Sequence, residues 1–264
     1  KVSKRYEMIG QSDALNRVRS IIEKVAASDA RVLVTGPNGC GKELVAHQLH
    51  ELSHRKESTF VEVNCAAIPS ELIESELFGH EKGSFTSAIK QKKGKFELAT
   101  GGTLFLDEVN SMDLSLQAKI LKAIEEKKFR PVGGEQDVHS DVRIVSAMNV
   151  DPITAVRDGL LRRDLFYRLG GVQLALPPRP EDIPLLTDFY VERYNRKMER
   201  TITGVSELVR NALLAYDWPG NVRELRNAVE SAFNLCTGSV IQLSDIPRYI
   251  FYHEEEKAVE PAEE

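Results

Sequence analysis

The sequence predicts an α/β protein in which helices cover both faces of a parallel sheet, followed by a small helical domain. Three observations support this prediction. Short β-branched runs alternate with helical patterns over the first two thirds of the chain, which is typical of a parallel sheet. A proline cluster at 177–180 then interrupts the pattern, and beyond it only helical patterns occur. The 264 residues, 42% of them hydrophobic, suffice for a sizeable core.

Periodicity and composition predict each element. Helices are assigned where apolar residues recur three or four positions apart, and strands where short β-branched runs are bounded by turn residues. The core elements are, in chain order, a helix over 15–27, a strand over 31–35, a turn over 36–41, a helix over 42–52, strands over 60–64 and 103–107, a helix over 116–126 and a strand over 142–147. Later helices are expected over 183–196, 206–216 and 222–235. We therefore expect a core over 1–176, a helical domain over 177–249 and an acidic, disordered tail over 250–264.

Charge and cysteine content narrow the function classes. The formal net charge is -5, and the six Glu and one Lys of residues 254–264 account for all of it. The remainder has no overall basic footprint for nucleic acid. Three cysteines, an odd count without a secretory leader, indicate free thiols in a reducing compartment. No apolar run approaches the ~20 residues that span a membrane. We expect a cytoplasmic protein with no membrane partner.

A phosphate-binding loop is predicted between the first strand and the helix after it. Its residues are Gly36, Pro37, Asn38, Gly39, Cys40, Gly41 and Lys42. Glycines let backbone N–H groups approach phosphate oxygens, the helix N-terminus adds a favourable dipole, and Lys42 reaches the β- and γ-phosphates. Glu43 stands where Ser or Thr usually binds Mg²⁺, a departure from the general motif.

Two acidic residues end a later strand. The apolar run over 101–106 leads into Asp107 and Glu108. Because ligands bind at the carboxyl edge of a parallel sheet, we expect Asp107 to bind Mg²⁺ through water. Glu108 would orient and deprotonate the attacking water. With the preceding phosphate loop, this pair predicts hydrolysis of ATP.

Two asparagines end further strands. Asn149 has two possible roles. It acts at the nucleotide, where it positions the attacking water or senses the γ-phosphate, or it is only a turn residue. Asn64 either hydrogen-bonds Glu108 and keeps it inactive until a signal arrives, or it forms a turn. Residue type leaves both pairs of alternatives open.

Arginines cluster at Arg162, Arg163 and Arg168. They either reach the γ-phosphate of a neighbouring subunit as fingers, an effect of ~10³–10⁵ in rate in other systems, or form a solvated helix face. Arg223 begins a helix after the tight turn at 218–221, from which it can fold back on the phosphates.

The stretch over 79–88 has no features of nucleotide chemistry. A glycine, a phenylalanine and a threonine flanked by small residues predict a flexible loop with one apolar contact and one hydroxyl, which suits contact with a partner protein. The contact residues are Gly83, Ser84, Phe85, Thr86, Ser87 and Ala88.

Over residues 6–249 the chain resembles the AAA+ domain of bacterial enhancer-binding proteins, the activators of sigma-54 RNA polymerase. Residues 36–43 are similar to the family's Walker A motif, in which an acid after the lysine is usual, and 101–108 to its Walker B motif. Residues 60–69 are similar to its glutamate-switch segment, with Asn64 at the switch position. Residues 83–88 resemble its Gly-Ala-Phe-Thr-Gly-Ala signature, which contacts sigma-54.

The resemblance also implies roles for isolated residues. Arg162 and Arg168 fall on the two finger arginines, Asn149 on sensor I and Arg223 on sensor II. The implied nucleotide-binding set is Ile9, Gly10, Gly36, Pro37, Asn38, Gly39, Cys40, Gly41, Lys42, Glu43, Leu44 and Arg223. The family implies an AAA+ P-loop core with a helical lid, bound ATP and Mg²⁺, and a ring, usually a hexamer, with ATP between subunits. Hydrolysis remodels the closed promoter complex of sigma-54 polymerase. DNA binding is expected through a domain absent from this chain.

The departures from the family pattern are Ser84 for Ala, Ser87 for Gly, Met148 for Thr, and the loss of part of an arginine-rich link at 177–182. The two serines motivate an alternative, a nucleotide-dependent oligomeric regulator that does not engage sigma-54 productively. Retention of Phe85 and Thr86, with the full catalytic set, favours the remodelling motor. A third class, an unfoldase or replication loader, shares the ATP site but lacks the contact loop.

Overall fold

The computed structural model describes residues 6–251, which form two compact units divided between Pro178 and Arg179. The predicted tail lies outside the described residues from position 252 onward. The helices of the first unit are α1 (Asp13–Val25), α2 (Lys42–Glu51), α3 (Ile73–Phe78), α4 (Lys95–Leu98), α5 (Leu114–Glu126), α6 (Pro152–Arg157) and α7 (Arg163–Leu169). Its strands are β1 (Val32–Thr35), β2 (Phe60–Asn64), β3 (Thr103–Asp107), β4 (Lys128–Phe129), β5 (Val138–His139), β6 (Arg143–Met148) and β7 (Val172–Ala175).

Five of these strands form one parallel sheet in the order β2-β3-β6-β1-β7. Along β3, Leu104 and Leu106 belong to one apolar cluster and Phe105 to another, because side chains alternate between the faces of a strand. The first cluster includes residues of α3, α4, α5 and α7, and the second includes residues of α1 and α2. Helices therefore cover both faces of the sheet, and the predicted fold class is confirmed.

The strand register brings several polar residues to one edge of the sheet. Asn64 pairs with Asp107, Asp107 pairs with Ala147, and Met148 pairs with Thr35. The carboxyl ends of β2, β3, β6 and β1 therefore lie side by side. The phosphate loop, which follows β1, begins at the same edge as the acidic pair.

Short elements of this unit are missing from the sequence-based prediction. They are α3, α4, α6, α7, the antiparallel pair β4 and β5, and the edge strand β7. Helices of four to seven residues and strands of two residues are too short to show a period, whereas the position of β7 depends on its pairing with β1. Two predicted helices also begin earlier than expected, because Ser12 and Asp113 act as caps that accept from the N–H groups of Leu15 and Leu116. The three cysteines, Cys40, Cys65 and Cys236, are free, as predicted, and buried.

The second unit contains the three predicted helices, α8 (Ile183–Met198), α9 (Glu207–Ala215) and α10 (Asn221–Leu235). The prediction that only helical elements follow the proline cluster is wrong. Two short strands, β8 (Gly204–Val205) and β9 (Val240–Ile241), pair in parallel. Strands of two residues carry no alternating pattern that a sequence can reveal. No helix within residues 6–251 is both long and apolar enough to cross a membrane.

Candidate functional site

The backbone path of the phosphate loop requires its glycines. A Cβ atom on Gly36 would lie 2.9 Å from both the sulfur of Cys40 and the carbonyl oxygen of Leu176, a distance that real Cβ atoms do not show. Gly39 and Gly41 have φ angles of 76° and 103°, in the region that favours glycine. The backbone of the loop therefore depends on glycine at these three positions.

Lys42 lies within this loop, at the first position of α2, with 6% of its surface exposed. Its ammonium group donates to the carbonyl oxygens of Gly36 at 2.7 Å and Pro37 at 3.0 Å. A buried cation at the positive end of a helix suits an anionic ligand. Asn38 is exposed, whereas Glu43 and Leu44, in the first turn of α2, are half-buried.

Asp107 carries a buried oxygen, Oδ1, that has no hydrogen-bond partner in the described chain. Burial raises the pKa of Asp107; the charge of Lys42 opposes this rise, and that of Glu108 adds to it. A buried carboxylate oxygen without a partner fits a hydrated Mg²⁺ ion. Within residues 6–251 no cluster of three or more His, Cys, Asp or Glu side chains could hold a metal alone. Nucleotide phosphates and water would have to supply the other ligands.

We expect Asp107→Asn to increase the free energy of unfolding of the ligand-free chain at pH 7 by ~0.5–2 kcal/mol, as stabilising changes at functional sites often do. Because the pKa is raised on folding, the folded state retains the proton longer, and stability falls as pH rises from the ordinary value of 3.8 through the folded pKa. The asparagine of the variant does not titrate, so the free energy of unfolding of the variant should not show this fall with pH. Denaturant unfolding across pH measures it.

The same variant should bind nucleotide without dependence on Mg²⁺, measured by titration with and without the ion. Asp113→Asn is the control, since that carboxylate caps α5 and accepts from Leu116 N–H at 2.7 Å. An undiminished Mg²⁺ dependence in Asp107→Asn would contradict the assignment of the ion.

Glu108 has a left-handed backbone conformation, with φ of 55°. Its carbonyl oxygen accepts from the N–H of Ser111 at 3.0 Å and from the Ser111 hydroxyl at 2.7 Å. Such strain in a non-glycine residue persists only where the surrounding structure imposes it, commonly at functional sites. The residue directly after Asp107 is thus held in an unusual orientation at the ligand edge of the sheet.

The side chain of Asn64 does not hydrogen-bond Glu108 in the residues that the structure describes. Its side-chain oxygen instead accepts from the N–H of Ala66 at 3.1 Å, and the residue is exposed. The predicted hydrogen bond between Asn64 and Glu108 is therefore not formed here, because the amide satisfies the local backbone in a turn. The turn is present in this structure, and the role of Asn64 as a switch stays a prediction.

Asn149 follows β6 directly and is exposed. The preceding Met148 is fully buried in the apolar cluster that contains Leu104. Its carbonyl oxygen accepts from the N–H of Gly36 at 3.3 Å. The side chain of Met148 thus belongs to the core, and its backbone connects the end of β6 to the start of the phosphate loop.

Arg162 and Arg168 lie at the two ends of α7 and are both partly exposed, with 38% and 41% of their side-chain surface accessible. Arg162 forms two hydrogen bonds with the carboxylate of Asp164, at 2.9 and 3.0 Å. Arg168 pairs with Glu125 at 3.2 Å. Both guanidinium groups are therefore accessible to a second molecule and held by acidic neighbours.

Ile9 and Gly10 form part of a segment that α1 holds in place. Arg19 donates to the carbonyl oxygens of Met8 and Gly10, the second at 2.8 Å. Ile9 is half-buried, and Gly10 is buried with φ of 142°. This clamp by Arg19 was not found in the sequence, because it joins residues nine and eleven positions apart through a side chain on a helix.

Arg223 lies in the second unit, exposed on the first turn of α10. The turn before it is held by Glu224, which accepts from the N–H of Gly220 at 3.1 Å and from the hydroxyl of Tyr216 at 3.0 Å. Trp218, with φ of 53°, is buried within this turn. The predicted tight turn before Arg223 is therefore present.

The contact loop, residues 83–88, is a closed turn. The N–H of Gly83 donates to Ala88 O at 2.8 Å, and the N–H of Ala88 donates to Phe85 O at 2.9 Å. Phe85 is half-buried, whereas Thr86 and Ser87 are exposed. The loop therefore presents its hydroxyl groups at the surface and rests its phenyl ring against the protein.

His80 supports this loop and was not assigned a role from the sequence. Its ring lies 4.9 Å from that of Phe85, edge to face. Its Nε2 donates to the carbonyl oxygen of Lys90 at 2.8 Å, so in the neutral ring Nδ1 accepts from the hydroxyl of Ser75 at 2.5 Å. One buried side chain thus ties α3, the far flank of the loop and its phenyl ring together.

The two serines that depart from the family signature differ in their surroundings. The Ser84 hydroxyl is buried without a hydrogen-bond partner in the described chain, and a Cβ on Gly133 would lie 2.6 Å from the Cβ of Ser84. Ser87 is exposed and is not among the described residues with left-handed φ. Ser84 therefore carries a desolvation cost, whereas Ser87 adds no backbone strain.

Comparison with known families decides what kind of domain carries this site. A family model described as "Sigma-54 interaction domain" matches residues 8–175. The chain belongs to the sigma-54 interaction domain family. A second model, described as "AAA+ ATPase lid domain", matches residues 178–263 of this sigma-54 interaction domain chain. The predicted family and the AAA+ fold are both confirmed.

Relatives of this sigma-54 interaction domain include transcriptional regulators. FlbD, a transcriptional regulatory protein of Caulobacter vibrioides, is 46% identical over 89% of the chain and 52% of its own length. HyfR, a DNA-binding transcriptional activator of Escherichia coli, is 45% identical over 90% of the chain and 36% of its own length. AtoC, a regulatory protein of Escherichia coli, is 43% identical over 92% of the chain and 53% of its own length. The chain spans about a third to a half of these relatives.

Solved structures of a related protein have the same fold. NtrX from Brucella abortus in complex with ADP superposes with a TM-score of 0.84 at 37% identity, covering 92% of this chain and 55% of NtrX. NtrX in complex with ATP gives the same TM-score and identity, with 92% and 57% covered. This sigma-54 interaction domain therefore shares its architecture with a protein solved with both nucleotides.

Proposed function

We propose that this domain binds and hydrolyses ATP with Mg²⁺, and that hydrolysis remodels sigma-54 RNA polymerase at promoters. The observation that carries the proposal is the sheet edge, where a buried lysine in a glycine loop lies near a carboxylate that has one buried oxygen without a hydrogen-bond partner in the described chain. Membership of the sigma-54 interaction family supports the partner. The structures of NtrX with ADP and ATP support the nucleotide.

The proposed roles follow the chemistry of the site. Lys42 and the loop N–H groups hold the phosphates, and Asp107 holds hydrated Mg²⁺, which would neutralise charge on the transferred phosphoryl group. Glu108 accepts a proton from the attacking water. Asn149 positions that water or senses the γ-phosphate, and Asn64 leaves its turn to hydrogen-bond Glu108 in an inactive state.

We place the ATP site between subunits of a ring. Arg162 and Arg168 are surface side chains, as a finger that acts on a neighbouring molecule must be. Their pairing with Asp164 and Glu125 orients them in the free chain. The lid over 177–249 contributes Arg223, and Ile9 and Gly10 border the adenine. The ring is a homo-oligomer, taken as a hexamer from the family.

Contact with sigma-54 is assigned to the loop over 83–88. Phe85 supplies the apolar contact, for which it must leave its position against His80, and Thr86 supplies an exposed hydroxyl. The coupling of hydrolysis to remodelling would then depend on movement of this loop.

The direct test is release of phosphate from ATP by the chain, with and without Mg²⁺, followed by transcription of its target genes in a strain lacking sigma-54. We expect Mg²⁺-dependent turnover and loss of target transcription. The buried, partnerless hydroxyl of Ser84 favours the alternative, an oligomeric regulator that does not engage sigma-54 productively. Undiminished transcription without sigma-54 would support that alternative.

A further inference from the structure

Gln117 is a fully buried polar side chain in α5 that the proposed mechanism does not use. Its Nε2 donates to the carbonyl oxygens of Met112 and Leu160, each at 2.9 Å. Its Oε1 accepts from the N–H of Arg162, also at 2.9 Å. One amide thus uses both of its N–H donors and its carbonyl group on three backbone partners.

These partners belong to the two segments that the proposed function places in different ATP sites. Met112 ends the short turn that follows Glu108. Leu160 and Arg162 lie in the segment that precedes α7, and Arg162 is the residue immediately before its first turn. Gln117 therefore joins the turn behind the proposed base to the finger that the same subunit offers to its neighbour.

Apolar packing also joins these segments, because Met112, Leu161 and Leu165 belong to one buried cluster. Leu160, in contrast, is exposed and lines, together with Met112, an open groove of about 710 Å³. The hydrogen bonds of Gln117 therefore add a directional polar connection to this packing, and buried amides with all groups satisfied are rigid connectors.

We propose that Gln117 is a positioning residue that places the Arg162 finger relative to the short turn after Glu108. The finger and the base of one subunit serve different ATP sites, so this connection makes neighbouring ATP sites act together. This inference rests on the proposed function. Gln117→Met keeps the length of the side chain and removes all three hydrogen bonds. We expect kcat to fall about 100-fold, as for a misplacement of about 1 Å, with nucleotide affinity unchanged.

The control is Ile120→Ala. Ile120 lies one turn further along α5 and is also fully buried, but it belongs to the apolar core. Thermal unfolding identifies a temperature at which all variants are folded, and turnover and nucleotide affinity are measured there. Gln117→Glu serves as the second variant if Gln117→Met does not fold. It keeps an acceptor for Arg162 N–H, loses the donors, and should also lower kcat.

Mixed rings provide a measurement that general destabilisation would not change. Subunits with Gln117→Met retain Glu108, and subunits with Glu108→Gln retain a correctly placed Arg162. Mixing the two should restore turnover, because sites that combine the intact halves form at some interfaces. Recovery shows that the defect lies in the finger that each subunit donates.

Three outcomes would overturn the proposal once the unaltered chain has shown turnover. The first is a kcat for Gln117→Met within about twofold of the unaltered chain. The second is a loss of both kcat and nucleotide affinity in Gln117→Met that Ile120→Ala reproduces. The third is no recovery in mixed rings under conditions in which Arg162→Ala recovers. Absence of turnover in the unaltered chain would refute the proposed function instead.

Discussion

Replacing Glu108 by Gln is expected to lower ATP turnover by about 10²–10⁴-fold, the usual contribution of a general base, while nucleotide affinity stays unchanged. The amide keeps the shape of the side chain but cannot accept a proton from water. The phosphate loop and Lys42, which lie at the same sheet edge, are untouched. Steady-state phosphate release and equilibrium binding of a fluorescent ATP analogue measure the two quantities.

Two further variants test whether the effect of Glu108→Gln is specific to turnover. Lys42→Ala should lose nucleotide binding, because it removes the buried ammonium group from the phosphate loop. Glu126→Gln makes the same chemical change at an exposed position on α5 and should leave both quantities unaltered. Normal turnover in Glu108→Gln would refute its role as the base.

The second large effect is expected for Arg162→Ala, which should lower kcat by ~10³–10⁵, the range found for arginine fingers. The guanidinium group lies at the surface and pairs with Asp164, so its loss should not disturb the core. Phosphate release at saturating ATP measures the effect. Nucleotide affinity in the same variant should change much less, because binding relies on the phosphate loop.

Arg163→Ala is the matched control, since this exposed arginine is adjacent and carries the same charge. Mixing Arg162→Ala subunits with Glu108→Gln subunits should restore part of the turnover, because an intact base can then meet an intact finger across an interface. Rings that demonstrably assemble from both variants yet show no recovery would exclude action between subunits.

The order of strands and helices in the core could be predicted because long elements carry their own period. The helix α5, with apolar residues at helical spacing, is an example, and its start was displaced only by the cap at Asp113. The edge strand β7 and the short pair β8 and β9 were missed, because their position depends on pairing with distant segments. Pairing of that kind leaves no local pattern.

The candidate site also has a part that the sequence predicts and a part that it does not. Motifs that are contiguous in the chain, such as the loop ending at Lys42 and the pair Asp107 and Glu108, could be located from the sequence. Contacts that depend on three-dimensional packing could not: Gln117 meets Leu160 across 43 positions, and the ring of His80 packs against that of Phe85. Residue type alone does not distinguish the two interpretations of Asn64, because a turn and a switch use the same amide.

The central claim, that hydrolysis in this domain drives remodelling of sigma-54 polymerase through Phe85, is tested by open-complex formation on a sigma-54 promoter. The unaltered chain with ATP should melt the promoter. Phe85→Ala should keep ATP turnover and lose melting, while Ile89→Ala, a neighbouring residue with 77% of its surface exposed, should keep both. Full melting by Phe85→Ala, or no sigma-54-dependent melting by the unaltered chain despite ATP turnover, would contradict the claim.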